Sequence, residues 1–420
     1  MCGSSVAERR RIAVTGVGTV TPIGTGREQF WRSLLAGRCG AGPVESFDTS
    51  NFQVHRGAEV KDFRASDYVF ELDPGCLGRA SQFAIAAARL ALEDASLDPI
   101  AFDTQQAGVI CGTTSGEPQV IEQFDDQYVG GGLDRIGPEF IKQYPCHVIA
   151  ANVASELGFA GEVNTIPAAC AAGNYAIAHA FDLLRSGRAD VMLAGGADSF
   201  SRITFTGFAR LGAIAPDVCR PFDRRRKGMI PGEGAGMLVL EPLDRAMRRG
   251  ARIYCEVAGY GLSCDAHHMT AAHPEGSGAA RAMEAALRQS GVTPDDVDYI
   301  SAHGTGTPTN DRLETIAVKR VFREAAYRTP ISSIKSMLGH TMGAASAIEA
   351  VVCALAIFYD HIPPTINLQE SDPDCDLDYV PNCAREHRVA VAMNNAYAFG
   401  GNNSSLILAA APTRLQVTVH

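Results

Sequence analysis

Aromatic side chains and long apolar runs are both scarce in this sequence. Phe, Trp and Tyr make up 7% of the 420 residues, with a single Trp. No uninterrupted apolar run reaches the roughly 18 residues that a membrane span requires. The first shortage disfavours an aromatic-rich β-sandwich, and the second gives no support to a membrane protein. The 42 Gly residues and a 46% hydrophobic content instead favour an α/β fold of tightly layered helices and strands.

A basic surface and a metal-binding cysteine pattern are also lacking. The net charge is −10 and the pI is near 5.6, which argues against a broad nucleic-acid-binding surface. The twelve Cys residues form no CxxC pair and no zinc-type Cys/His spacing, which indicates reduced thiols. Residues 1–11 carry no apolar stretch of signal-peptide length, so we expect a cytoplasmic protein that binds neither membrane nor nucleic acid.

Apolar runs bounded by glycine alternate with helical patterns along the chain. Buried strands are predicted at 12–20, 107–111, 191–196 and 237–240, and packed helices at 79–94, 171–186, 278–290 and 343–359. A basic segment at 245–252 precedes a fresh strand, so we predict two halves, 1–252 and 253–420. Each half contains a strand, a turn of small residues and a buried helix, but direct repetition is too weak to establish a duplication by itself.

Cys170 lies in IPAACAAGNYAIAHA, where an extended segment reaches small residues and then becomes a long apolar helix. A thiol at a helix start faces the positive end of the helix dipole, which favours the thiolate and makes the thiol useful as an acyl acceptor. The small neighbours would let a substrate approach closely. The alternative is an inert core cysteine, which is the ordinary role of a buried thiol.

Two histidines lie in similar turns. His303 follows a predicted strand at 299–302 and enters a Gly/Thr turn, where Thr305 and Thr307 could hold a polar substrate arm. His340 follows a strand that we expect to end at Lys335, and it opens the helix at 343–359. A buried Lys335 needs a counter-charge, for which Glu349 is the candidate. A structural histidine and a structural ion pair are the alternatives.

A glycine turn in MNNAYAFGGNNSSLIL completes the set. Its exposed backbone can aim N–H groups at a developing oxyanion, and Phe399 could act as a gate over the thiol. A plain β-hairpin is the other interpretation.

Together these motifs resemble the β-ketoacyl synthase family, of the elongating fatty-acid and type II polyketide kind. The quoted segments AACAAG, SAHGTGTPTND, IKSMLGHTMGAAS and AFGGNNSSL occur in the family's order over nearly the whole chain. The resemblance implies a thiolase fold, in which two βαβαβαββ halves form a five-layered α-β-α-β-α body, usually dimeric. It also implies decarboxylative condensation of an acyl group on Cys170 with malonyl carried by acyl carrier protein.

The resemblance also implies the residue roles. Catalysis would rest on Cys170, His303, His340 and Lys335, with the backbone N–H groups of Cys170 and Phe399 holding the oxyanion. Glu349, Asp265 and Asp311 would support the site, Thr305 and Thr307 would contact phosphopantetheine, and Phe208 would line the acyl pocket. No dissociable cofactor is expected beyond the carrier's phosphopantetheine. Some family members hold a monovalent cation near the positions of Glu349, Asn394 and Asn395, and Ser301 stands where the family commonly has Asn.

Several positions depart from the family pattern. The usual NSFGFGGTN turn is replaced at Asn395-Ala-Tyr-Ala-Phe399 and at Asn402. Lys227 replaces a common Asp, and we expect Arg224, Arg225, Arg226 and Lys227 to meet the acidic helix of a carrier protein, with a solvated charge run as the alternative. Ser115, Glu117 and Gln119 bring polarity to a stretch that limits the acyl pocket in the family. From these we predict an unusual acyl chain, of polyene or oxygenated type.

Retained residues separate the neighbouring functions. His340 distinguishes the chain from the initiating synthases, which use Cys, His and Asn, and from thiolases, which use a second Cys. The partner is expected to be a second copy or a chain-length-factor-like subunit. Two other functions stay open: an acyltransferase that does not decarboxylate, and a non-catalytic partner subunit. His340 and Lys335 argue against the first, and Cys170 against the second.

Overall fold

The computed structural model describes residues 10–99 and 102–412. Residues 1–9, which belong to the segment expected to lack an export signal, lie outside the described residues. The strands are β1 (Ile12–Thr21), β2 (Gly24–Thr25), β3 (Gly42–Pro43), β4 (Arg56–Gly57), β5 (Ala107–Gly112), β6 (Val163–Ile166), β7 (Val191–Asp198), β8 (Gly234–Pro242), β9 (Cys255–Cys264), β10 (Tyr299–Ser301), β11 (Ile331–Ser332), β12 (His361–Ile362), β13 (Arg385–Glu386), β14 (Val391–Tyr397) and β15 (Asn402–Ala409).

The helices connect these strands and cover their faces. They are α1 (Arg27–Leu35), α2 (Arg79–Asp94), α3 (Pro118–Gly131), α4 (Glu139–Gln143), α5 (Val148–Leu157), α6 (Ala172–Arg185), α7 (Arg202–Arg210), α8 (Leu243–Arg248), α9 (Ser277–Ser290), α10 (Pro308–Phe322), α11 (Lys335–Leu338) and α12 (Ala345–Tyr359). The helix predicted at 79–94 matches α2 in both bounds.

Two sets of five strands share one topology. The first runs in the order β6-β5-β7-β8-β1 and the second in the order β11-β10-β14-β15-β9. Counted along the chain, the second strand of each set lies between the third and the fourth, and these three strands are parallel. The fifth strand lies between the fourth and the first and is antiparallel to both. A short pairing of β1 with β9 joins the sets. The duplicated βαβαβαββ arrangement that the resemblance implies is therefore confirmed. The boundary at 252/253 stays a prediction.

Helices pack on both faces of each strand set and produce five layers. Helices α2 and α5 cover the first set, α9 and α10 cover the second, and α6 and α12 lie together between the two. Small residues allow the central helices to approach closely. A Cβ added at Gly173 would lie 2.5 Å from the backbone N of Ala347, and Asn174 N donates to Ser346 Oγ at 3.1 Å. The glycine content thus serves close packing of layers.

The central helix α12 is apolar on nearly all sides, and Glu349 is its one charged residue. The stretch Met342–Tyr359 is long and apolar enough to cross a membrane by length and composition, but 89% of it is buried inside the fold. Its core position explains its composition, because a helix surrounded by protein needs no polar face.

Local structure differs from prediction around Lys335 and His340. Strand β11 ends at Ser332, and Lys335 begins the short helix α11. His340 follows Gly339, whose φ of 67° ends that helix, and α12 begins only at Ala345. A four-residue helix carries too little periodicity to be recognised from sequence.

Candidate active site

Cys170 occupies a tight turn between β6 and α6. The chain forms a 3-10 turn over Ala169–Ala171 before α6 begins at Ala172. Ala169 has a φ of 47°, a left-handed conformation that a non-glycine residue adopts only at a cost. The side chain of Cys170 is buried at the wall of a pocket. The expected elbow at the helix start is present.

Burial dominates the acid–base state of this thiol. It raises the pKa of Cys170 to about 12, against a lowering influence of the Lys335 ammonium. A helix N-terminus contributes at most about 2 kcal/mol, or roughly 1.5 pKa units, which is too little to offset burial. The resting side chain is therefore a thiol, unlike the thiolate expected from its place at a helix start.

A carboxylate holds the His303 turn in place. The backbone N–H groups of His303 and Gly304 each donate to one carboxylate oxygen of Glu314, at 2.8 Å. Burial raises the pKa of Glu314 to about 7. The sequence suggests only that Glu314 suits the start of α10. Its clamp on the turn is a function that a local pattern does not reveal.

The hydrogen bonds of His340 define its tautomer. Its backbone N–H donates to Ile230 O at 2.6 Å, and its Nδ1 accepts from Met342 N at 3.1 Å. Because Nδ1 is an acceptor, the proton of the neutral ring is on Nε2, and Nε2–H is free to act as a donor. The rings of His303 and His340 lie 5.5 Å apart, nearly perpendicular.

Both imidazoles are neutral at physiological pH. Burial and the positive charge of Lys335 lower the pKa of His303 and of His340 well below the usual value, and His340 lowers that of His303 further. Neutral imidazoles can donate an N–H to a developing negative charge without first losing a proton to water.

Lys335 and Glu349 form a buried ion pair behind the pocket. The Lys335 ammonium binds Glu349 Oε1, and the two side chains are 2% and 1% exposed. Burial raises the pKa of Glu349 to about 7, although the adjacent Lys335 opposes this. Neither residue is among those that line the pocket. The positive charge of Lys335 nevertheless contributes to the lowered pKa of both histidines.

Two carboxylates tie the surrounding loops together. Asp311 accepts from the backbone N–H groups of Phe222 at 2.8 Å and Gly306 at 3.2 Å. Asp265 accepts from His273 N at 3.1 Å and from Asn403 Nδ2 at 2.9 Å. These bonds connect separate loops at the pocket.

The pocket brings most of the expected site residues together. Its lining includes Cys170, His303, His340, Asp265, Thr305, Thr307, Phe208 and Phe399. The hydroxyls of Thr305 and Thr307 are 2.8 Å apart. The turn Phe399–Gly401 joins the antiparallel strands β14 and β15, so the hairpin interpretation is correct, and the oxyanion and gate roles stay predictions. Phe399 is 40% exposed and its ring lies 5.8 Å from that of Phe208.

Comparison with known proteins assigns the family. Residues 9–246 match the family model "Beta-ketoacyl synthase, N-terminal domain", and residues 254–369 match "Beta-ketoacyl synthase, C-terminal domain". The chain belongs to the β-ketoacyl synthase family. A relative named 3-oxoacyl-[acyl-carrier-protein] synthase 2, from Synechocystis sp., is 41% identical over 95% of this chain and 98% of its own length. The protein of the same name from Coxiella burnetii is 40% identical over 96% and 99%.

Solved ketosynthase structures share the fold. The structure described as "The ishigamide ketosynthase/chain length factor" is 45% identical, has a TM-score of 0.93, and covers 96% of this chain and 100% of that one. A type II polyketide ketosynthase solved with its acyl-carrier protein, AntDE:AntF, is 34% identical with a TM-score of 0.89, again over 96% and 100%. The expected thiolase-type fold and enzyme class are thereby confirmed.

Ser115, Glu117 and Gln119, the polar residues expected at the acyl pocket, do not line the pocket that contains Cys170, and the carboxylate of Glu117 is used elsewhere. Glu117 is buried, and its carboxylate accepts from Ala80 N at 3.0 Å and Ser81 N at 2.7 Å, so it caps α2. The Gln119 amide donates to Phe200 O at 2.7 Å, and Ser115 is exposed. None of the three lines the pocket that contains Cys170. Helix capping explains why a carboxylate is buried there.

The basic run also divides in the structure. Arg226 is buried and binds Asp372, Asp311 and the carbonyl of Pro308, so it cannot meet a carrier protein. Arg224, Arg225 and Lys227 are exposed. Arg224 and Arg225 each lie 3.4 Å from Glu370.

Asp198 is a site residue that motif reasoning missed. It is buried at the end of β7 and accepts from Thr113 Oγ1 at 2.8 Å, Thr114 N at 2.9 Å and Gly343 N at 2.7 Å. These bonds join the loop after β5 to the turn before α12, and burial raises the pKa of Asp198 to about 6. An acidic residue at the end of an apolar strand, in VMLAGGADS, is the signal that could have revealed it.

Proposed function

We propose that this chain is the catalytic subunit of an elongating ketosynthase, which condenses an acyl group on Cys170 with malonyl-[acyl carrier protein]. The products are 3-oxoacyl-[acyl carrier protein] and carbon dioxide. The observation that carries the proposal is the meeting of one thiol and two neutral imidazoles at a single pocket.

The first half-reaction is a thioester exchange. The sulfur of Cys170 attacks the acyl carbonyl, the bond to the phosphopantetheine sulfur breaks, and that sulfur leaves with a proton. With a pKa of about 12, ionising Cys170 at pH 7 before the attack would cost about 7 kcal/mol. This cost favours loss of the thiol proton as the new bond forms. Thr305 and Thr307 line the same pocket, and in this proposal they contact the pantetheine arm.

The second half-reaction breaks the bond between the malonyl α-carbon and its carboxyl group. Carbon dioxide leaves, and the electron pair forms an enolate whose oxygen accepts hydrogen bonds from His340 Nε2–H and from His303. The α-carbon then attacks the Cys170 thioester. The tetrahedral intermediate collapses, the Cys170 sulfur leaves, and it takes up one proton. In this proposal Cys170 N–H and Phe399 N–H hold the tetrahedral oxyanion.

The proposal includes an acyl carrier protein and a second subunit. AntDE:AntF was solved with its carrier protein, and the ishigamide enzyme is described as a ketosynthase with a chain length factor. Exposed Arg224, Arg225 and Lys227 offer positive charge for an acidic carrier helix. Strand β6 ends its sheet and Val163 on it is 37% exposed, which supports pairing with a second copy or a related subunit. We place the assembly in the cytoplasm.

We further propose a specialised polyketide or polyene chain as substrate, in preference to an ordinary fatty acid. The similarity to AntDE:AntF, a type II polyketide ketosynthase, supports this. Ser115, Glu117 and Gln119 do not line the pocket and add no support. A panel of acyl carrier proteins bearing saturated and polyunsaturated chains tests it. Exclusive elongation of saturated chains would contradict it.

A monovalent cation fits beside the buried ion pair. Glu349 Oε2 and Asn394 Oδ1 are buried without hydrogen-bond partners among the described residues, and Asn394 bonds to Ser346 O, three residues before Glu349 on α12. The Asn395 oxygen already accepts from Ser405 at 2.6 Å. We propose that Glu349 Oε2 and Asn394 Oδ1 would coordinate the ion, which would fix the position of Glu349.

Two alanine variants test the division of roles. Cys170→Ala should release carbon dioxide from malonyl-[acyl carrier protein] yet form no 3-oxoacyl product. His303→Ala should acquire an acyl group at Cys170, detected by intact mass, while decarboxylation falls by about 100-fold or more. Absence of an acyl adduct on the wild-type protein would contradict the proposal. Transfer to an amine or alcohol without carbon dioxide release would favour the acyltransferase alternative.

A further inference from the structure

The pocket contains one buried polar group that the proposed reaction does not use, the hydroxyl of Tyr397. Tyr397 ends β14, is 8% exposed, and lines the pocket together with Cys170 and both histidines. Its ring lies 5.7 Å from that of His303. Within residues 10–99 and 102–412, the Tyr397 Oη has no hydrogen-bond partner. A buried hydroxyl without a partner costs free energy, so a ligand that pairs with it gains affinity.

The chemistry of this hydroxyl is that of a donor. Burial raises the pKa of Tyr397 well above 10, so the phenol keeps its proton at any pH at which the enzyme works. The turn motif of the family, NSFGFGGTN, has Phe at the position of Tyr397. The hydroxyl is thus an addition of this chain to an otherwise apolar position.

The anion of the extender unit is the matching acceptor. A malonyl thioester brings a carboxylate to the pocket, and no Lys or Arg is among the described residues that line it. In the proposed reaction, the imidazoles of His303 and His340 donate hydrogen bonds to the thioester oxygen, which becomes the enolate oxygen. The Asn310 amide already donates to Asp311 at 3.1 Å, and Thr309 is exposed at the rim. The buried hydroxyl of Tyr397 therefore remains as the unpaired donor among the residues that line the pocket.

We propose that Tyr397 donates a hydrogen bond to the carboxylate of the malonyl unit and selects carboxylated extender units over their decarboxylated forms. This inference rests on the proposed function. A neutral donor suits a carboxylate that must leave as carbon dioxide. A cation would stabilise the bound carboxylate more strongly and would raise the barrier to its loss.

Two stable substrate analogues test the proposal on the full-length protein. Malonyl-pantetheine and acetyl-pantetheine are prepared with an amide nitrogen in place of the thioester sulfur, and their dissociation constants are measured by calorimetry. Wild type should bind the malonyl amide more tightly than the acetyl amide. Tyr397→Phe should reduce this preference by about 10- to 100-fold, the loss typical of a hydrogen bond to a charged group, and leave acetyl binding unchanged.

A second tyrosine provides the matched control. Tyr254 is also buried, but its hydroxyl is paired: it donates to Asp94 at 2.7 Å and accepts from Arg27 at 2.6 Å, far from the pocket. Tyr254→Phe should lower the melting temperature and keep the preference for the malonyl amide. Tyr397→Phe should keep or raise the melting temperature, because it removes a buried hydroxyl that has no partner.

The outcomes separate the two proposals. If wild type condenses substrates but Tyr397→Phe keeps the full preference, or weakens both analogues equally, the role of Tyr397 is refuted and the condensation stands. If wild type prefers neither analogue, the carboxylate contact is likewise refuted. If wild type forms no acyl adduct and no 3-oxoacyl product, the proposed function fails, whatever the analogues show.

Discussion

Replacing Lys335 by Met tests whether its charge serves stability, the histidines, or both. The ammonium of Lys335 binds Glu349 Oε1, with side chains only 2% and 1% exposed. Removing one partner of such a pair leaves an uncompensated buried charge and costs about 3–5 kcal/mol. That corresponds to a change of roughly 10² to 10⁴ in the ratio of folded to unfolded protein. Lys335→Met alone should therefore be strongly destabilised.

The double variant Lys335→Met/Glu349→Leu is the control for this cost. It removes both charges, and replacing a buried pair by apolar side chains of similar volume is often neutral or stabilising. Its denaturation midpoint should recover to near the wild-type value. Equal instability of the single and double variants would refute the uncompensated-charge explanation.

The same variants separate the effect of Lys335 on the histidines. Its positive charge contributes to lowering the pKa of His303 and His340, and burial contributes more. Without Lys335 both pKa values rise toward, but stay below, about 6.5. Protonation of His340 removes the Nδ1 lone pair that accepts from Met342 N and orients the ring, and it adds a buried charge. Activity is therefore expected to fall as pH falls through these values. The acid limb of the pH–rate profile should move upward in the double variant.

The assay measures formation of 3-oxoacyl product between pH 5 and pH 8, after intact mass has shown that the protein is acylated at Cys170. Activity near wild type at pH 8, with a raised acid limb, would support action through the electrostatic field. A folded double variant that is inactive at every pH would show that Lys335 takes a direct part in the reaction, contrary to its place outside the pocket lining.

Two further predictions follow from burial and packing. The rate of alkylation of Cys170 by iodoacetamide should rise about tenfold for each pH unit from 7 to 10 without levelling, because the pKa of the thiol is about 12. Peptide mass spectrometry measures this rate. A plateau near pH 8 would contradict the prediction. Gly173→Ala places a Cβ 2.5 Å from Ala347 N and should lower the free energy of unfolding by about 1–3 kcal/mol, measured by thermal unfolding. Gly130→Ala is the control, because its Cβ would meet nothing within 4 Å, and it should be neutral or stabilising. Equal effects of the two variants would refute the packing argument.

The local sequence pattern is sufficient to predict several elements, including helix α2 and the turn that contains Cys170. Helix α2 was predicted with its bounds because its small apolar residues repeat at helical spacing, and the turn at Cys170 was predicted from small residues between a strand and a helix. The resemblance to the family then supplied the pairing of that thiol with the two histidines. No local pattern could have supplied it, because His303 and His340 are more than a hundred residues away along the chain.

The errors concern side chains whose partners lie far away in sequence. Glu117 reads as a polar residue near the acyl pocket, but its carboxylate is used 37 residues earlier in the chain, at the start of α2. Arg226 reads as one of four docking cations, but Asp372, 146 residues later, holds it in the interior. In both cases the sequence shows that a charged side chain needs a partner, but only the folded structure shows which residue that partner is.

The duplicated topology explains why the thiol and His340 face each other. Cys170 lies in the connection from the third strand of its half, β6, to the central helix α6, and His340 lies in the connection from the third strand of the other half, β11, to the central helix α12. The two positions are topologically equivalent. Because α6 and α12 pack against each other, equivalent connections meet at one end of the pair. The absence of a side chain at Gly173 permits the close approach of α6 to Ala347 on α12, and this approach helps to bring Cys170 and His340 to one pocket.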